Sequence, residues 1–151
     1  MPPPLFQPVA PHLADELIGF VRRYYAEDEL VFEENLVRPA VARLLAEPSL
    51  GRAFFLVDEA GSRAGYVVFT FGFDHEAGGP LATVTDLFVA PSHRRRGYAR
   101  AALAFVAETC RELGVRGLEL QVETHNAAGQ ALYRSFGFYA QTRIAMFLPL
   151  K

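Results

Sequence analysis

A chain of 151 residues, just over half of them apolar, is long enough to bury the core of one domain of ordinary size. Its net charge of −2 argues against a nucleic-acid surface, and no run reaches the ~18 uninterrupted apolar residues of a membrane span. One cysteine, Cys110, can close no intramolecular disulfide and build no cysteine-based metal site.

The opening MPPPLFQPVAP has neither the basic start nor the apolar run of a signal peptide, so a reducing cytoplasm is the expected compartment. Leu5–Val9 reads as a short strand. Leu13, Leu17, Phe20, Val21 and Tyr24 fall at helical spacing and predict an amphipathic helix over His12–Tyr25. An acidic loop, Ala26–Phe32, follows. A second helical stripe runs from Leu36 to Leu45, with Pro39 inside it as the point of a kink or restart. Ala53–Val57 and Gly65–Phe73, split by the turn-like Glu59–Ser62, predict antiparallel strands. Gly78-Gly79 marks the next turn, and Leu81–Ala90 is another strand. Gly97–Leu113 carries a sustained helical stripe that Gly114 caps. Leu118–Val122 is a strand, Asn126 starts a helix to Phe136, and Ile144–Leu150 is a final strand. The order β-α-α-β-β-β-α-β-α-β predicts an α/β (α+β) fold, a mixed sheet with helices packed on it. With no repeat or linker-like stretch, residues 1–151 read as a single domain.

The strand ending near Val89 runs into Pro91-Ser92-His93-Arg94-Arg95-Arg96-Gly97-Tyr98-Ala99, and then a helix begins. A strand–turn–helix junction aims backbone N–H groups at one point, and the helix N-terminus adds partial positive charge. Gly97 allows close backbone approach, Ala99 keeps the first turn uncrowded, and Arg94, Arg95, Arg96 and Arg100 supply positive charge. Such a local cluster on a near-neutral chain points to a small anionic ligand. A solvated basic turn capping a helix accounts for this loop alone equally well. The segment is neither a Walker loop nor a GxGxxG turn.

Three motifs together carry a resemblance. Arg94-x-x-Gly97-x-Ala99 resembles the [RQ]-x-x-G-x-[GA] signature of GNAT-type N-acetyltransferases. Val84-Thr85-Asp86-Leu87-Phe88-Val89 looks like the strand that precedes it in that family. Asn126-x-x-Gly129-x-Ala131-Leu132-Tyr133-x-x-Phe136-Gly137-Phe138 looks like the family's second motif, N-x-x-A-x-x-[LF]-Y-x-x-x-G-F, with Ala128 or Gly129 at the small position. The resemblance is strong from Thr83 to Phe138. It implies a mostly antiparallel sheet of about six to seven strands flanked by four helices. It also implies acetyl-CoA as co-substrate, with the pyrophosphate on Arg94, Arg95, Arg96, Gly97, Tyr98, Ala99 and Arg100. The backbone of Leu87, Phe88 and Val89, with Asn126, is implied to hold the pantetheine arm. Pairing of two copies into a homodimer is compatible with the resemblance, because many members pair through strands or the C-terminal region.

Amine attack on a thioester needs a proton acceptor, since an alkylammonium has a pKa of ~10.4. Asp86 is the candidate base, directly or through water. The competing reading is an edge carboxylate paired with an arginine, and strand parity decides which way it points. Tyr133 is the candidate acid for the departing thiolate, against a packing tyrosine on its helix. The resemblance places the acceptor pocket around the first two helices, the loop between them and nearby strands. Tyr24, Tyr25, Glu27 and Asp28, with Phe71 and Phe73, are the candidate residues there. Aromatics with carboxylates suit a cationic amine, small-molecule or peptide. The four histidines show no metal spacing, so no metal is expected. Three rival readings remain: an acyl-CoA-binding module without transfer, an acyltransferase for a non-amine acceptor, and a nucleic-acid binder using the arginines.

Overall fold

The structure is a computed structural model describing residues 2–151. The chain divides into two compact units, Met1–Gln121 and Val122–Lys151.

In the first unit the elements are β1 (Leu5–Pro8), α1 (Ala14–Glu27), α2 (Glu34–Ala46), β2 (Gly51–Val57), β3 (Arg63–Asp74), β4 (Gly79–Val89), α3 (Tyr98–Glu112) and β5 (Gly117–Leu120). The strands form one sheet in the order β1-β2-β3-β4-β5. The first three pairings are antiparallel and β4–β5 is parallel. Short turns join the antiparallel pairs β2–β3 and β3–β4, α1 and α2 lie between β1 and β2, and α3 makes the crossover that a parallel pair requires. α1 starts two residues later than its apolar stripe predicts, because Pro11–Leu13 forms a 3₁₀ turn first. α2 runs unbroken through Pro39 and does not restart there.

Alternation along the strands feeds a core on each face of the sheet. On one face, α1 and α2 bury Leu17, Ile18, Val21 and Val41 against Phe55, Tyr66, Val68 and Phe88. On the other, α3 buries Ala102, Val106 and Cys110 against Val67, Phe69, Ala82 and Val84. Cys110 is a buried member of this core, and burial raises its thiol pKa, away from the thiolate form.

The second unit holds α4 (Ala127–Phe136), which Asn126 caps by accepting from the Gly129 N–H at 2.9 Å. The expected strand over Ile144–Leu150 does not form, so the sheet has five strands where six to seven were expected. Ile144, Met146, Leu148 and Leu150 alternate as a strand would, but all are exposed. A strand exists only within a ladder, and no backbone hydrogen bond reaches residues 139–151 among the described residues. Among the described residues no helix is long and apolar enough to cross a membrane.

Candidate acyl-transfer site

β4 carries one residue more than β3 can pair. Val68 opposes Asp86 and Phe69 opposes Val84, which leaves Thr85 as a bulge. Its hydroxyl donates to the Val68 carbonyl at 3.4 Å. The extra residue resets the parity of the strand. Val84 faces α3, and strict alternation would send Asp86 the same way. With the bulge, Phe88 instead packs in the core under α1, and the Asp86 side chain lies on that face.

There Asp86 meets tyrosines, not an arginine. Tyr66 Oη donates to Asp86 Oδ2 at 2.7 Å, and no described ion pair includes Asp86. Burial pushes the Asp86 carboxyl above the ordinary carboxylate range, while hydrogen bonds from Tyr66 and Thr85 work against that rise. Tyr25 is raised as well, first by burial and then by the charge of Asp86. Tyr24 packs edge-on against Tyr25 at 5.8 Å and against Phe88 at 6.4 Å. Asp86, Tyr24, Tyr25 and Tyr66 therefore form one cluster between α1 and the middle of the sheet.

A pairing also ends beside the bulge. β4 and β5 run in register only from Leu81/Gly117 to Val84/Leu120. Past that point β4 has β3 on one side and no strand on the other among the described residues. The outer edge of Leu87, Phe88 and Val89 thus has no strand partner among the described residues, as an extended amide chain laid alongside would require, though the Val89 carbonyl accepts from Arg94.

Pro91–His93 then forms a 3₁₀ turn. Arg95 and Gly97 take left-handed φ values of 63° and 78°. No backbone N–H from Arg95 to Ala99 meets a backbone carbonyl among the described residues. Alternating handedness turns successive N–H groups inward, the concavity that binds anions, and α3 begins at this point. Tyr98 turns its side chain into the α3-side core at 5% exposure, leaving only its backbone for the loop. Arg95, Arg96 and Arg100 are exposed. Arg94 is otherwise engaged. Its Nε donates to the Val89 carbonyl at 2.8 Å, its Nη2 donates to Glu27 Oε2 at 2.6 Å, and its guanidinium lies over Phe88.

Two residues expected beside the acceptor do not join this cluster. Phe71 packs on the α3-side core. Phe73 is exposed, five residues along β3 from Val68, a separation of about 17 Å at strand spacing. Glu27 and Asp28 close the end of α1 near Tyr24 and Tyr25. In the second unit, Tyr133 lies on α4 with its ring 6.0 Å from Phe138. Among the described residues no three His, Cys, Asp or Glu side chains gather as a metal site.

Sequence reasoning missed Tyr66, which reads there as one more apolar strand residue, and the pair His93–Asp58. His93 Nε2 lies 2.8 Å from Asp58 Oδ2, and Ser92 Oγ lies 2.8 Å from His93 Nδ1. Asp58 also accepts from the Ala60 and Ser62 N–H groups, fixing the β2–β3 turn against the start of the loop. Its carboxyl is held below the ordinary range, chiefly by His93. The turn around Asp58 was visible in the sequence; its pairing with His93 depends on the β3–β4 register.

The profile of the family described as acetyltransferase (GNAT) family matches residues 10–138. Streptothricin acetyltransferase of Streptomyces lavendulae is 33% identical over 92 residues, 61% of this chain and 47% of that protein. The ribosomal protein bS18-alanine N-acetyltransferase of Escherichia coli (strain K12) is 39% identical over 61 residues, 40% of this chain and 41% of that protein. The chain thus spans less than half the length of these curated relatives. An integron cassette protein from the mobile metagenome of Cole Harbour Salt Marsh superposes with a TM-score of 0.84 at 28% identity, over 97% of this chain and 90% of the other. Aminoglycoside N-acetyltransferase AAC(6')-Iy, crystallised with CoA, superposes with a TM-score of 0.81 over 97% and 95%; at 17% identity it attests the fold alone. Profile and fold agree over the great majority of the chain, which therefore belongs to the acetyltransferase (GNAT) family.

Proposed function

We propose that this chain transfers an acetyl group from acetyl-CoA to a primary amine, on a small polyamine- or lysine-like molecule or on a peptide. The observation that carries this reading is the placement of Asp86. It is a carboxylate bonded to Tyr66 and near Tyr25, on the stretch of β4 whose far edge has no strand partner among the described residues, just ahead of a loop whose amides meet no backbone carbonyl among them. One relative is named for streptothricin and another for N-acetylation of the alanine of a ribosomal protein, and both names support an acetyl acceptor of this kind.

Acetyl-CoA supplies the acyl group as an activated thioester. The N–H groups from Arg95 to Ala99 and the α3 N-terminus bind its pyrophosphate, with charge from Arg95, Arg96 and Arg100. The open edge at Leu87, Phe88 and Val89 takes the pantetheine amides and polarises the thioester carbonyl. Tyr24, Tyr25, Glu27 and Asp28 hold the ammonium of the acceptor. Asp86 accepts a proton from it, directly or through water, and frees the lone pair. A C–N bond replaces the C–S bond. The nitrogen gives up two protons, of which one ends on the departing sulfur and one reaches solvent through Asp86. Asn126 as a pantetheine contact and Tyr133 as donor to the thiolate rest on the family resemblance. The reaction so described uses no metal. The same reading takes residues 1–151 as one domain in a reducing cytoplasm, alone or as a homodimer, without a nucleic-acid or membrane partner.

Turnover of acetyl-CoA against an amine panel, followed as free thiol, tests the proposal. Thiol release with at least one amine is expected, and Asp86→Asn is expected to lower kcat by about 10²–10⁴-fold. Acetyl-CoA binding with no release on any amine would overturn transfer and leave a binding module. Release on hydroxyl acceptors alone would overturn the amine.

A further inference from the structure

We infer that Tyr66 is the positioning residue of the reaction: it fixes the Asp86 carboxylate and sets the pH at which Asp86 can accept a proton. The inference rests on the reading of Asp86 as base, and it concerns a residue in contact with Asp86 that does not itself meet substrate.

Tyr66 is fully buried and ranks among the largest such side chains of the chain. It stands on β3 opposite Phe88, so Asp86 is its diagonal neighbour on the same face, within reach of a long aromatic side chain. Phe20 at 6.1 Å and Phe88 at 6.3 Å hold the ring from two sides. A phenol set this deep must find a partner for its hydroxyl, and the partner is Asp86 Oδ2. The hydroxyl is therefore fixed by the core, and it fixes one carboxylate oxygen in turn. The other oxygen is then the one that meets the incoming proton. If Tyr66 served packing alone, a phenylalanine would do the same work without a buried hydroxyl.

The groups facing Asp86 define the electrostatics. From β3 comes Tyr66, from α1 comes Tyr25, with Tyr24 beside Tyr66, and Thr85 is its neighbour on β4. Arg23 and Arg94 lie over the Phe88 ring at 5.5 Å and 5.7 Å, and Arg94 is bonded to Glu27. Burial disfavours the Asp86 carboxylate, and the bond from Tyr66 stabilises it. A base works only when deprotonated, so its pKa forms the acid limb of the pH–rate profile. Removing the donor raises that pKa and moves the limb to higher pH.

The test is the pH dependence of kcat/KM in the full-length protein. Tyr66→Phe keeps the ring and its packing. Its acid limb is expected to move up by about one pH unit or more, the worth of a hydrogen bond to a charged group. The rate at high pH is expected to return to within a few-fold, with the KM for acetyl-CoA unchanged. Should Tyr66→Phe not fold, 3-fluorotyrosine placed at position 66 retains the hydroxyl as a stronger donor, and the limb is expected to move down. A limb abolished by Asp86→Asn but unmoved by either change at Tyr66 overturns this inference and leaves the base intact. A limb that survives Asp86→Asn overturns both.

Discussion

Gly97 and Arg95 hold the left-handed backbone from which the amides of the loop converge. A Cβ added at Gly97 would meet nothing within 4 Å, so its cost to the fold is the left-handed backbone and not a clash. Valine there strains the backbone by about 1–2 kcal/mol or more and stands on the face proposed for the pyrophosphate. Arg94→Ala acts differently, because that guanidinium is already committed to Val89 and Glu27. Calorimetric titration with acetyl-CoA is expected to show a large loss for Gly97→Val and a modest one for Arg94→Ala. The opposite ranking would mean that an arginine side chain, and not the backbone, holds the pyrophosphate. The loop was legible in the sequence because glycine and the charged run mark it locally. The resemblance gives its signature arginine to the phosphate, and nothing local shows that Glu27, 67 residues earlier, also comes within reach.

β3 is the element on which the site is built, and two of its glycines behave in opposite ways. A Cβ on Gly65 would lie 2.0 Å from the Phe88 carbonyl oxygen, a backbone atom in a paired strand that cannot yield. A Cβ on Gly72 would meet nothing within 4 Å. Gly65→Ala is expected to destabilise by about 3 kcal/mol and lower Tm by roughly 6–12 °C. Gly72→Ala is expected to leave Tm unchanged or slightly raised. Equal effects in thermal unfolding would contradict the tight β3–β4 approach at Phe88. At this scale the sequence told most about the helices and the long strands, where periodicity extends over many residues. It could not show the bulge at Thr85, because a single unpaired residue is defined by its partner strand. The same reasoning explains the missing last strand: residues 144–150 have the right alternation, but pattern alone supplies no ladder.

Across the whole molecule, a ligand that binds only the folded chain must stabilise it. Acetyl-CoA at about 100 times its Kd is expected to add about 2.7 kcal/mol, or roughly 5–10 °C in Tm for a chain of this size. Gly97→Val is expected to lose most of that shift, and its own Tm without ligand is expected to fall by roughly 2–8 °C from the backbone strain. No shift with acetyl-CoA in the unaltered protein would contradict the pyrophosphate loop. Through residue 121 the order of strands and helices along the chain was legible in the sequence, because each carries its own periodicity. The bond between Arg94 and Glu27 has a further consequence at this scale. It ties the loop proposed to hold acetyl-CoA to the end of the helix that carries Tyr24 and Tyr25, the helix proposed to hold the acceptor, and so offers a contact through which the two could be linked. Such linkage is reciprocal: by whatever factor occupancy of one side alters binding on the other, the reverse factor must be the same.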